Sequence, residues 1–90
     1  MDEKLNIEIG DRTTKGPIYA QVREQIEAQI RNKQFKAGEA LPSPAALAQK
    51  LSVDKGEIAR AYFELERAGL LKKKTGRDFL GKEKTTYEVS

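Results

Sequence analysis

Cysteine and histidine are both absent from these 90 residues. Their absence removes disulfides, thiol nucleophiles, the commonest general base and the usual ligands of zinc. A reducing compartment suits such a chain, and a cytoplasmic location is the expectation. No apolar run approaches the length of a membrane span, and Met1-Asp2-Glu3-Lys4 does not begin a signal peptide. The chain is therefore expected to be soluble and to have no membrane partner. It also lacks a P-loop, a dinucleotide fingerprint, an internal repeat and any low-complexity tract. The remaining carboxylates and serines form no catalytic constellation, so neither an enzyme nor a cofactor is expected.

What is present fits one small domain with a single modest core. Hydrophobic residues make up 38% of the chain, enough to fold, and charged residues 34%, enough to solvate its surface. The net charge of +3 permits an anionic partner without demanding one. Its distribution is more informative. Residues 1–54 hold eight basic and eight acidic side chains, whereas residues 55–90 hold nine and six, so the basic excess lies in the C-terminal part with Lys72-Lys73-Lys74.

Residues 41–71 read as two helices joined by a tight turn. Ser43 is a good N-cap and Pro44 falls at the first helical position, where its missing N–H costs nothing. A short helix over residues 44–51 follows. Ser52-Val53-Asp54 makes the turn, with Asp54 as the next cap and Glu57 placed to reach back in a capping box. A helix over residues 55–68 then buries Ile58, Ala61, Tyr62 and Leu65 as one stripe and ends at Gly69. Its opposite face carries Lys55, Glu57, Arg60, Glu64 and Arg67.

Elsewhere, Leu5, Ile7 and Ile9 alternate with polar residues and suggest a short strand or an extended arm lying on the domain. Asp11 to Gly16 reads as a polar turn. Pro17 opens a helix over residues 17–31, in which Ile18, Val22, Ile26 and Ile30 recur at intervals of four. A loop over residues 33–40 follows, with Phe35 as its anchor and Gly38 as its turn residue. Residues 70–74 read as a strand, Thr75-Gly76-Arg77 as its turn and residues 78–81 as its return. The expected core is Ile18, Val22, Ile26, Leu47, Leu51, Val53, Ile58, Tyr62, Leu65 and Leu71. The domain plan is an N-terminal arm (residues 1–15), a folded unit (residues 16–81) and a polar tail (residues 82–90), loose except that Tyr87 and Val89 could pair with another segment.

Three helices and a hairpin make the order of a winged helix-turn-helix, a mainly α fold with a small two-stranded β wing. The chain resembles the DNA-binding domain of GntR-type bacterial transcription regulators. The resemblance runs through Gly16-Pro17-Ile18-Tyr19, Gln21-Val22, Gln25-Ile26, Phe35-Lys36-Ala37-Gly38-Glu39 and Leu41-Pro42-Ser43. It continues through Leu47-Ala48, Leu51, Val53, Ala61-Tyr62, Leu65 and Ala68-Gly69-Leu70-Leu71. The Pro-Ile-Tyr opening is most similar to the branch of small regulators without a large ligand domain. It implies a DNA-binding regulator, with the second helix of the pair in the major groove, the basic wing on the backbone, and a homodimer reading palindromic DNA.

The matched positions belong mainly to the scaffold, and the contact positions differ. Ala45 stands where the family usually has arginine, and Asp54 to Ala59 replace a Ser-Arg-x-Thr-Val-Arg pattern, with only Lys55 keeping its charge. Lysine lacks the planar fork that makes arginine contacts bidentate. The Gly-x-Gly-Thr-Phe wing pattern is interrupted by Asp78. The candidate DNA-binding residues are Ser43, Lys55, Gly56, Glu57, Arg60, Lys72, Lys74, Thr75, Gly76 and Arg77, with Lys73 expected on the other face of its strand. A second reading, favoured by the missing arginines, is a winged-helix module that docks a protein through Lys55-Gly56-Glu57 or the N-terminal helix.

Overall fold

The computed structural model describes residues 5–90, with only the backbone at Lys84; the first four residues of the expected arm lie outside the described residues. The elements are α1 (Arg12–Lys15), α2 (Ile18–Arg31), β1 (Ala40–Leu41), α3 (Pro44–Leu51), α4 (Lys55–Arg67), β2 (Leu71–Arg77) and β3 (Glu83–Val89). All three expected helices form at their expected places. Asp11 to Gly16, expected as a turn, closes instead into the single turn of α1, because Asp11 accepts from the Thr13 N–H and hydroxyl at 2.9 Å each. Those two bonds hold the Asp11 carboxyl below its ordinary pKa, the backbone bond contributing most.

Helix α4 packs against both α2 and α3. Its stripe of Ile58, Ala61, Tyr62 and Leu65 is buried, together with Val22, Ile26, Leu47 and Ala48 from its neighbours. Ile18, Leu51 and Val53, expected in the core, are only half-buried at its rim. Three helices end in the same way. After α2, α3 and α4 the residues Lys33, Ser52 and Gly69 take positive φ, and the N–H groups of Gln34, Val53 and Leu70 reach back to Gln29, Ala48 and Leu65. This Schellman arrangement satisfies the last carbonyls of each helix and sets the direction of the outgoing chain.

The sheet corrects the expected wing. Its strand order is β1-β3-β2, all antiparallel, so the C-terminal segment expected as a loose tail is the central strand. Strand β2 does not turn at Thr75-Gly76-Arg77 but continues, pairing those residues with Thr85, Lys84 and Glu83. Two physical reasons favour this register. Leu71 and Val89 are opposite each other and both buried, whereas a return over residues 78–81 would offer Gly81 and no buried anchor. Thr85, Thr86, Tyr87 and Val89 are also better strand formers than Asp78 and Gly81. The last residue of the expected loop, Ala40, and Leu41 after it add a two-residue third strand beside β3.

The arm is extended and its pairing is made by side chains. Gln21, Gln25 and Gln29 each use both ends of the amide on one arm residue, Gly10, Glu8 and Asn6 respectively. The spacing explains the match, since four helical residues advance about 6 Å and two extended residues about 6.7 Å. This pairing turns Leu5 and Ile7 into the core.

Candidate nucleic-acid interface

The helix pair is built so that its exposed ends are held rigidly from below. Ser43 caps α3 by accepting from the Ala46 N–H at 3.1 Å, and Tyr62 of α4 donates its buried hydroxyl to the Pro42 carbonyl at 2.7 Å. The start of α3 is thereby fastened to the middle of α4. The tie extends to the wing, because the Tyr62 ring meets Tyr87 of β3 edge-on at 5.0 Å.

At the start of α4, Asp54 occupies the cap position, but its side chain makes no capping bond, so the expected capping box with Glu57 does not form. Lys55 and Gly56 are exposed and Glu57 is half-buried. The first turn therefore presents one exposed ammonium, a bare backbone and one carboxylate. Arg60, one turn further, is turned back onto α2: its guanidinium stacks on Tyr19 at 3.8 Å and its Nε lies 3.5 Å from Glu64. Glu64 also meets Arg23 of α2 at 3.3 Å. Arg60 thus helps to join α2 to α4, a stacking and ion-pair role that periodicity alone does not reveal.

The wing divides the expected cationic cluster. Lys72, Lys74 and Gly76 lie on one face, where Lys72 stands opposite Glu88 and Lys74 reaches the Glu88 carboxylate at 3.1 Å. Lys73, Thr75 and Arg77 lie on the other face, the one that carries Leu71, Tyr87 and Val89. All of these β2 residues beyond Leu71 are exposed. The tip is the loop Asp78 to Lys82, none of whose residues was expected from the sequence to touch DNA. Its signal was Asp78 with Gly81 three residues on, a turn pattern masked by assigning the turn to Gly76.

Among the described residues no cluster of acidic side chains could hold a metal, and no helix is long and apolar enough to cross a membrane. Comparison with known proteins agrees with the geometry. The family described as "Bacterial regulatory proteins, gntR family" matches residues 18–80. The chain is 34% identical over 61 residues to an uncharacterized HTH-type transcriptional regulator, YhcF of Bacillus subtilis, covering 68% of this chain and 50% of that protein. It is 34% identical over 67 residues to the HTH-type transcriptional repressor YtrA of the same organism, covering 74% and 52%. With the repressor NagR, also from Bacillus subtilis, identity is 33% over 69 residues, covering 76% and 28%. The chain thus spans about half or less of the length of these curated relatives. Among solved structures, YtrA from Sulfolobus acidocaldarius, a GntR-family transcription factor, superposes with a TM-score of 0.69 at 29% identity, covering 97% of this chain and 80% of that one.

Proposed function

The chain belongs to the GntR family of bacterial regulatory proteins, and from that premise we propose that it regulates transcription by placing α4 in the major groove of double-stranded DNA, with the wing on the adjoining backbone. It acts as a regulator and not as an enzyme. The observation that supports the mechanism is the exposure of Lys55 on the first turn of α4 together with that of Lys72, Lys73, Lys74 and Arg77 on the two faces of β2. Phosphates supply most of the affinity in this reading. Base edges are read by few side chains, because Ala45 and Ala59 offer no hydrogen bond and Arg60 is engaged on Tyr19. Repression, the role named for YtrA and NagR, is the sign of regulation carried over to this chain.

Binding is then weak, steeply salt-dependent and modestly sequence-selective. Fluorescence anisotropy with a library of genomic duplexes at two salt concentrations tests this. Replacing Lys72, Lys74 and Arg77 together by Gln should flatten the salt slope by up to about 0.9 for each lost phosphate contact, and lower affinity for all sequences alike. Glu57→Thr removes a carboxylate from the groove-facing turn and should raise affinity. Failure of the wild type to retain any duplex at low salt, with Glu57→Thr and Ala45→Arg together failing to create retention, would sink this reading and leave the protein-docking module.

A further inference from the structure

The tip of the wing holds two large apolar side chains out in solvent: Phe79 is 94% exposed and Leu80 67%. Neither belongs to the hydrophobic core, although the same chain buries Phe35 to 7%. The loop that carries them is firmly built. Asp78 Oδ1 accepts from the Leu80 N–H at 2.9 Å and the Lys82 N–H at 3.0 Å. The Asp78 N–H donates to the Lys82 carbonyl, and the Gly81 N–H to the Asp78 carbonyl, each at 3.0 Å. Gly81 adopts φ 80°, a conformation that an L side chain would strain. A loop tied by four hydrogen bonds does not collapse to hide its apolar residues, so it keeps them presented.

The surroundings of the tip indicate what receives it. Exposed Arg77 and Lys82 flank it, and the exposed lysines of β2 lead up to it. The Asp78 carboxylate is engaged by its own loop, and Glu83 faces Arg77 across the ladder. The approach is thus cationic and the point apolar. Six steps of strand from Leu71 to Arg77, at about 3.3 Å each, place the tip roughly 20 Å from the core end of the sheet. A reach of that length is comparable with a major groove of about 12 Å plus one phosphate backbone, which brings the neighbouring minor groove within range of the tip when α4 lies in the major groove.

We propose that the wing tip is a wedge: Phe79, supported by Leu80, inserts between base pairs from the minor groove and kinks the duplex, while Arg77 and Lys82 hold the flanking phosphates. Apolar wedges of this kind unstack one step and bend DNA toward the major groove by roughly 20–90°. Pyrimidine–purine steps, TA above all, are the ones most easily opened. The wedge rests on the DNA-binding reading given above and supplies it with sequence preference through deformability, in place of the missing arginines.

The test uses the best-retained duplex from the genomic selection, labelled at its ends for energy transfer and carrying a fluorescent adenine analogue beside a TA step. The wild type should bring the ends closer and brighten the analogue as its stack opens. Phe79→Ala with Leu80→Ala should still bind, about an order of magnitude more weakly, as expected for one lost stacked aromatic, and without the bend. Asp78→Ala, which keeps Phe79 but frees the loop, should lose part of the bend. Phe79→Trp, in a chain that otherwise has no tryptophan, should restore bending, and its emission should be quenched by the bases and shielded from iodide. Binding with straight DNA, or a bend unaffected by the double substitution, overturns the wedge and leaves the DNA reading standing. Loss of all duplex binding by the wild type overturns both. A tryptophan that shifts to the blue on anionic vesicles and is unchanged on DNA overturns the wedge in favour of a lipid surface.

Discussion

Ser52 holds φ 57° at the turn between the two central helices, a left-handed conformation that glycine adopts freely and an L-residue does not. The residue is exposed and its hydroxyl makes no hydrogen bond among the described residues, so its side chain returns nothing for the strain. The strain costs an L-residue about 1–2 kcal/mol, and glycine's extra freedom in the unfolded chain offsets about 0.5–1 of that. Ser52→Gly should therefore raise stability by roughly 0.5–1 kcal/mol. The urea midpoint should move up with an unchanged slope, and a lower midpoint would mean that the Ser52 hydroxyl has a role the geometry does not contain. Gly69, with φ 83° in the equivalent place after α4, shows the unstrained form of the same motif. At this scale much was legible in advance: Ser43 as a cap, Pro44 behind it and Gly69 as a terminator depend only on local backbone chemistry. Asp54 with Glu57 has the same local signature but makes no capping bond, since a spacing permits a hydrogen bond without requiring it.

Helices α2, α3 and α4 were readable because each buries one stripe at helical spacing, and a stripe is a property of the element alone. The sheet was not, because strand pairing is a choice between distant segments. The nearer segment, residues 78–81, reads locally as the return of β2, but the strand pairs instead with Glu83–Val89, whose Val89 meets Leu71 in the core. Deleting residues 83–90 should consequently remove the central strand, expose Leu41 and Leu71, and abolish cooperative thermal unfolding. A sharp transition surviving that deletion would show that the tail is dispensable after all. The glutamine pairing of the arm lay hidden for a related reason. Gln21, Gln25 and Gln29 share a helix face visibly enough, but nothing in the helix says that an extended segment lies along it. Gln25→Ala with Gln29→Ala should speed hydrogen exchange at the Asn6 and Glu8 amides by roughly fivefold, as each loses an acceptor worth about 1 kcal/mol. Unchanged exchange there would assign the docking of the arm to Leu5 and Ile7 alone.

For the whole molecule, the open question is how one winged helix achieves a useful site. A single copy reads a short stretch, and regulators of this architecture act as two-fold pairs on palindromic DNA. Outside the helix pair, the segments available for self-association are the arm, α2 and the C-terminal tail. The structure places Leu5 and Ile7 of the arm and Val89 of the tail inside the fold, which leaves them little to offer a second copy. Phe63 on α4, 54% exposed beneath the Arg67 guanidinium, remains as an apolar site outside the wing. Self-association of these 90 residues is thus expected to be weak, and light scattering should show a concentration-dependent mixture in which monomer predominates. The same weakness sets the behaviour on DNA. Two half-sites one helical turn apart, about 34–36 Å between centres, should fill almost independently, and sliding them half a turn further apart should change little. Strong preference for the one-turn spacing would require direct contact between bound copies, and Phe63→Ala would then be the substitution to abolish it. A strict monomer at high concentration, combined with indifference to spacing, would make each chain a separate reader and lower the selectivity available to it on DNA.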